Sequence, residues 1–170
     1  MNETDVTYKE FDAIEYFHKM ARRNKLAHDN GFYACTCSGI GSLEDMLSQF
    51  RKQSSFICVE DTNDSATVCI SGGWFTKRVI TVFIMSRYRI DDMVDRQNKL
   101  ELCRKIFHQF HSRMMVDREI MHDDLCYLNA ESIASRELGQ YFMSGLTGLY
   151  FMVDLIEPLN LCYNEAEWTE

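Results

Sequence analysis

The run from Val79 to Met85 constrains the fold more than any other stretch of the chain. It is almost wholly apolar and rich in β-branched residues, which is typical of a strand buried on both faces of a sheet. The segment before it alternates, with Ala66, Val68 and Ile70 on one side. We therefore predict a long β-hairpin over residues 65–90, closed by a turn at residues 71–74.

Three amphipathic helices are predicted beside the hairpin, because apolar residues recur there at helical spacing. The first opens with a capping box at Thr7-Tyr-Lys-Glu10, and the second has Ser42 as its N-cap. The third is the longest and runs from Asp91 to about Glu119. Its apolar stripe steps by three and four residues through Leu100, Cys103, Phe107, Phe110 and Met114.

Further strands are predicted at residues 32–37, 56–59, 129–143 and 149–156, the last two forming a second hairpin. Because strands follow one another with few helices between them, we predict an α+β fold with a mainly antiparallel or mixed sheet. About three helices, one of them long, are expected to cover one face of the sheet. Residues 1–170 form a single domain in this interpretation, and residues 159–170 form an acidic C-terminal arm or edge segment.

The strands Val79–Met85 and Leu149–Ile156 are apolar on both faces, so the second face of the sheet also needs cover. Either the sheet folds over on itself or another subunit packs there. Large exposed apolar patches are rare on monomers. We therefore predict a homo-oligomer.

Charge is distributed unevenly along the chain. The formal net charge is −8, and no Lys or Arg follows Arg136. This acidic balance disfavours broad contact with phosphate backbones, so no nucleic-acid binding is expected. The acidic segment is either a solvated surface or a docking edge for a basic partner. The predicted contact, within one chain or across a subunit boundary, involves basic residues at the hairpin ends and acidic or aromatic residues near the C-terminus: Lys77, Arg78, Arg87, Arg89, Glu157, Glu165, Glu167 and Trp168.

No catalytic signature is present in the sequence. The glycines of Ser38-Gly-Ile-Gly-Ser42 precede a helix, but Glu44 stands where a dinucleotide fingerprint needs its third glycine. Cys35 and Cys37, and likewise His108 and His111, are spaced to share one face, and we interpret them as packing residues rather than metal ligands. We therefore expect no enzyme activity, cofactor or metal.

The seven cysteines are odd in number and most lie inside apolar patterns, as expected for reduced thiols in an intracellular protein. No apolar run approaches the roughly 20 residues that a membrane-spanning helix needs, so no membrane association is expected.

The order of elements resembles the phage tail-terminator and tail-completion families, including prophage-encoded members. Residues 76–91, the helix after them and residues 148–168 carry the resemblance. In these families the subunits assemble into rings, commonly hexameric, at the end of a tail tube or at the head–tail junction. The resemblance implies a homo-oligomeric structural protein whose partners are other tail or neck proteins. It also implies a cytoplasmic location during assembly and a later place in the virion or tail particle.

These families have no signature motif, so no functional residue can be transferred to this chain. Two alternatives stay open. One is a small intracellular adaptor that binds a basic protein through its acidic C-terminal segment. The other is an enzyme of unknown class with a small-ligand pocket between the sheet and the long helix.

Overall fold

The computed structural model of the protein describes residues 10–139 and 145–169. Its α-helices are α1 (Ala13–Arg23), α2 (Lys25–Asp29), α3 (Gly39–Gln49) and α4 (Met93–Asp123). Its strands are β1 (Phe32–Cys37), β2 (Ser55–Glu60), β3 (Asp64–Ile70), β4 (Gly73–Arg87), β5 (Tyr127–Leu128), β6 (Ala134–Glu137) and β7 (Leu146–Pro158). A short 3-10 helix, Glu165–Glu167, follows β7. None of the helices in these ranges combines the length and apolar character needed to cross a membrane.

The described strands form one mixed sheet, in which β1, β2, β4, β7 and β5 lie side by side in that order. β3 continues the edge begun by β2 and pairs with β4, whereas β6 shares the outer edge of β7 with β5. β1 and β2 are parallel, and the other pairs are antiparallel. This arrangement confirms the predicted α+β fold.

The predicted long hairpin is present and contains the central strand. β3 pairs with β4 from Asp64 opposite Val79 to Ile70 opposite Gly73. The turn residues Ser71 and Gly72 have φ values of 50° and 84°. Two successive positive φ values give a primed turn, whose twist matches that of the strands it joins. Along its other side β4 pairs with β7 over residues 75–87, so β4 is held on both edges.

One face of the sheet is covered by α1, α2 and α4. The predicted stripe of α4 is buried, and its part from Cys103 to Met114 belongs to the core on this side. Phe17 of α1 packs against Phe151 of β7, with ring centroids 5.8 Å apart. Ala27 of α2 is fully buried in the same core. Three helices, one of them long, therefore cover one face, as predicted.

Only the predicted first and third helices lie on this face. Asn24 divides the predicted first helix, because its side chain accepts a hydrogen bond from Ala27 N at 2.8 Å and starts α2. α3 lies instead on the opposite face, where Leu43 is buried with Phe56 of β2 and Phe83 of β4. Part of the second face is thus covered by the chain itself.

Two element boundaries also differ from the prediction. α1 begins at Ala13, where the Asp12 side chain accepts from Glu15 N at 2.8 Å, whereas Thr7 of the predicted capping box lies outside the described residues. The predicted strand over residues 129–143 is wrong in its first part, and residues 140–144 lie outside the described ranges. Ala130 turns toward α4, where its carbonyl oxygen accepts from His111 Nε2 at 2.8 Å, so the chain leaves the sheet before β6.

Candidate interaction surface

Part of the sheet face opposite α1, α2 and α4 extends beyond α3 and lies under no described helix. The strand register brings β3, β4, β7 and β5 side by side there. We call their apolar side chains the open face: Val68, Ile70, Phe75, Val79, Tyr127, Met152 and Ile156. Ile70 is 45% exposed and Met152 is 36% exposed. Partly exposed apolar side chains grouped on one face of a sheet are typical of a surface that binds another protein.

The two halves of β4 differ in their cover on this side. The sequence predicts that Phe75, Val79, Phe83 and Met85 share one face, and the register confirms it. Phe83 and Met85 are buried in the core beside α3. Phe75 and Val79 are partly exposed, and the Phe75 ring contacts that of Tyr127 at a centroid distance of 6.4 Å. On this face, therefore, the predicted need for another subunit as cover applies only to the first half of β4, which contains Phe75 and Val79.

β3 forms an edge of the open face. Among the described strands it pairs with β4 alone, and every residue except Val68 is exposed. No charged residue follows Asp64 in this strand. Natural edge strands are usually protected by charge, proline or a bulge, because an unprotected edge can pair with a strand of another chain.

Two of the predicted interface bases pair with carboxylates of β7 in the same chain. Arg78 Nε donates to Glu157 Oε2 at 3.1 Å, and both side chains are only 11% exposed. Lys77 Nζ lies 3.0 Å from Asp154 Oδ2, and this pair lies on the open face. Glu157 and Arg78 were predicted to meet within one chain or across a subunit boundary, and in the structure they meet within the chain.

Arg87 and Arg89 lie at the other end of β4. Arg87 Nε donates to the Gln53 carbonyl oxygen at 3.1 Å, and its guanidinium group lies 5.7 Å from the centre of the Phe56 ring. Arg89 forms an ion pair with Asp92 at 2.7 Å. These contacts attach the end of β4 to the segments before β2 and before α4.

The predicted acidic residues beyond β7 stand apart from these bases. Glu165 and Glu167 belong to the exposed 3-10 helix, and within the described part of the chain neither forms an ion pair with a basic residue. Trp168 is 69% exposed and stacks on Tyr163, with ring centroids 6.2 Å apart. This segment thus presents carboxylates and aromatic rings to solvent.

A groove of about 430 Å³ runs between α1 and α4. On its wall the Tyr16 hydroxyl donates to Asp117 Oδ2 at 3.0 Å, and Arg113 forms an ion pair with the same carboxylate. Burial and the negative charge of Asp117 raise the pKa of Tyr16. No local sequence pattern indicates this groove, because it arises only when α1 packs against α4.

Three buried thiols meet where β1 and β2 pair. Cys35 Sγ lies 2.7 Å from Cys58 Sγ, and Cys37 is on the same side of β1. Hydrogen bonds with Cys35 and Cys37, together with burial, raise the pKa of Cys58. The protonated Cys58 thiol is a poor nucleophile and a poor metal ligand, whereas its hydrogen bond to Cys37 lowers the pKa of Cys37. In the described ranges no group of three or more His, Cys, Asp or Glu residues, these thiols included, has an arrangement that could hold a metal ion.

His108 and His111 of α4 pack against an aromatic ring. His111 bonds to the Ala130 carbonyl oxygen and stacks on Phe107 at a centroid distance of 6.0 Å. The His108 ring lies 5.8 Å from the same phenylalanine. Of these contacts, the His111–Ala130 hydrogen bond joins α4 to the segment between β5 and β6.

Comparison with known proteins found no family model that matches the chain and no match among curated proteins. Inference about function therefore depends on the surfaces of the chain itself.

Proposed function

We propose that the protein is a structural subunit that assembles with copies of itself through the open face. The observation that carries this proposal is the partial exposure of apolar side chains across β3, β4, β7 and β5. Burying such a patch against another subunit is favourable in proportion to the apolar area removed from water. The Lys77–Asp154 pair also lies there. Because these two charges already face each other, an interface over them leaves neither unpaired.

The proposal extends to a ring-like assembly at a phage tail or head–tail junction, with other tail or neck proteins as partners. Its support is the order of elements, in which the β3–β4 hairpin, the long helix α4 and the β6–β7 hairpin follow one another. A ring needs two different surfaces on each subunit that fit each other. The exposed strands β3 and β6, on opposite edges of the sheet, offer two such surfaces.

Self-assembly is tested by measuring molar mass with multi-angle light scattering from low to high micromolar concentration, with negative-stain microscopy of the largest species. We expect the wild-type chain to form oligomers and Met152→Lys to shift them toward monomer, because a buried lysine charge opposes the contact. Met115→Lys is the matched control, since Met115 is 38% exposed on α4 and Met152 is 36% exposed on the open face.

A wild-type chain that stays monomeric at all these concentrations would overturn the proposal. Equal effects of Met152→Lys and Met115→Lys would exclude the open face as the contact. Oligomers without ring-shaped particles would retain self-assembly and reject the tail or neck assignment.

A further inference from the structure

The C-terminal arm, which we define as residues 159–169, has the properties of a ligand rather than of a solvated tail. Every residue from Asn160 to Thr169 is exposed. Its start is fixed, because Leu159 N donates to the Trp74 carbonyl oxygen at 2.9 Å. Beyond that point Leu161, Tyr163 and Trp168 are 51%, 75% and 69% exposed. Three large apolar side chains exposed within one short segment are typical of a segment that binds to another surface.

The apolar end of the arm is already ordered. Asn164 caps the 3-10 helix by accepting from Ala166 N at 3.1 Å, and this turn brings Tyr163 and Trp168 into a stacked pair. Glu165 and Glu167 flank the rings. A ligand that holds its bound shape before binding loses less conformational entropy on binding. The arm thus presents a compact aromatic pair bordered by negative charge.

The groove between α1 and α4 complements this arm. The apolar lining comes from Ile120, which is 62% exposed, above Met20, Phe110 and Met121, which are buried. The charged lining consists of Lys19, Arg23, Arg113 and Asp117, three basic side chains against one acidic one. The volume of about 430 Å³ is within the usual range for a site that receives side chains or a small ligand.

The basic side of the groove is available for a partner. Arg113 is engaged by Asp117, whereas Lys19 and Arg23 are exposed and take part in no ion pair within the described part of the chain. At the far end, Asn24 Nδ2 donates to Gln109 Oε1 at 2.8 Å and ties the two helices together. The groove therefore has a fixed apolar lining and two unneutralised cations at its rim.

We propose that the C-terminal arm of one copy docks in the α1–α4 groove of a second copy. The Tyr163–Trp168 pair enters the apolar part, and Glu165 and Glu167 meet Lys19 and Arg23. This inference rests on the proposed self-assembly and names a second contact for it. The groove and the arm are different surfaces, so the contact is head-to-tail and can close a ring. The hairpin bases predicted to receive the acidic segment lie elsewhere, with Lys77, Arg78 and Arg89 in ion pairs of their own.

The test uses full-length variants of both surfaces. The arm variant is Tyr163→Ser with Trp168→Ser, and the groove variant is Lys19→Glu with Arg23→Glu. The control is Arg51→Glu with Lys52→Glu, two exposed bases outside the groove lining, which alter net charge by the same amount. We expect the arm and groove variants each to raise the concentration for half-assembly by at least about tenfold, and the control to leave it unchanged.

Mixing provides an independent measurement. The arm variant retains a groove and the groove variant retains an arm, so an equimolar mixture should form mixed dimers under conditions where each variant alone is monomeric. A fluorescent peptide of residues 159–170 should bind the full-length arm variant and lose at least about tenfold in affinity when Lys19→Glu and Arg23→Glu are added. Binding should weaken as salt increases, because the contact includes opposite charges.

The outcomes separate this inference from the proposed function. If Met152→Lys disrupts assembly while the arm and groove variants assemble normally, self-assembly stands and arm docking is overturned. If both variants lower thermal stability without changing molar mass, the arm occupies the groove of its own chain, which also overturns the inference. Peptide binding that is insensitive to the groove substitutions would assign the arm to another partner. A monomeric wild-type chain would overturn both proposals.

Discussion

Arg78 and Glu157 form a buried ion pair that attaches the segment before α1 to the two central strands. Arg78 Nε is 3.1 Å from Glu157 Oε2, and both side chains are 11% exposed. Phe11 completes the arrangement, since its backbone N donates to Glu157 and its carbonyl oxygen accepts from Arg78 Nη2 at 2.9 Å. The ion pair thus holds together the segment before α1, β4 and β7, which are distant from one another in the sequence.

Glu157→Ala should lower the free energy of unfolding by about 3–5 kcal/mol, because it leaves the Arg78 charge buried without its partner. Urea denaturation followed by circular dichroism measures this loss. The matched control is Glu15→Ala, which removes the exposed Arg22–Glu15 pair and should cost less than about 1 kcal/mol.

The double substitution Arg78→Met with Glu157→Leu distinguishes charge from packing. It removes both charges and keeps apolar volume, so most of the stability should return. A double variant as unstable as Glu157→Ala would contradict this explanation.

Gly148 permits a close backbone approach between β4 and β7. Its φ is 141°, and a Cβ atom at this position would lie 2.1 Å from the Ile84 carbonyl oxygen. Gly148→Ala should therefore destabilise the protein by about 3 kcal/mol or more, or prevent folding, through overpacking and backbone strain. Thermal unfolding and soluble yield measure the effect.

Gly41 in α3 provides the control for this substitution. A Cβ atom there meets nothing within 4 Å. Gly41→Ala should raise stability by up to about 1 kcal/mol, because alanine is the better helix former. If Gly148→Ala were tolerated as well as Gly41→Ala, the close approach of β4 and β7 would be wrong.

The seven cysteines should separate into two classes of reactivity. Cys69 and Cys162 are exposed, whereas Cys35, Cys37, Cys58, Cys103 and Cys126 are buried. Burial raises the pKa of Cys103 to about 12. Since the thiolate is the reactive form, buried protonated thiols react slowly.

In a native titration with an aromatic disulfide reagent, we expect two thiols to react quickly and the other five only after denaturation. The double variant Cys69→Ser with Cys162→Ser should abolish the fast phase. A fast phase that persists in this variant would contradict the assigned burial.

Tyr16 should make stability depend on alkaline pH. Its pKa is raised in the folded protein by burial first and by Asp117 second, above the ordinary value of 10.0. Above that pH the unfolded chain releases its proton while the folded chain retains it. The stabilising contribution is therefore present below pH 10 and is lost as pH rises toward the folded pKa.

Tyr16→Phe should reduce the decline in unfolding free energy above pH 10, because phenylalanine cannot ionise. Urea denaturation at successive pH values measures the slope. Identical slopes in the wild type and the variant would show that Tyr16 does not titrate in this range.

The parts of the fold that could be predicted have a local signal. The β-branched run of β4 and the three-four spacing of α4 each identify an element from neighbouring residues, and both elements lie close to their predicted bounds. The side of the sheet that α3 covers has no such signal. Leu43 packs with Phe56 and Phe83 because the segment that follows β1 crosses to the α3 side of the sheet. That crossing depends on the path of the whole segment between β1 and β2.

The candidate interaction residues show the same distinction. Composition and charge pattern identified Arg78 and Glu157, but these residues are 79 positions apart and meet through the register of β4 on β7. No local pattern in the sequence distinguishes Lys19 and Arg23 from other bases on an amphipathic helix. Their place at the rim of a groove depends on the packing of α1 against α4.

β4 passes through two environments along a single strand. Its residues 82–85 lie between cores on both faces, whereas Phe75 and Val79 face the open side. Substitutions in the first part affect whether the domain folds, and substitutions on the open side of the second part affect which molecules it meets. Related proteins can therefore change their binding partners through substitutions in one half of this strand, while the other half preserves the fold.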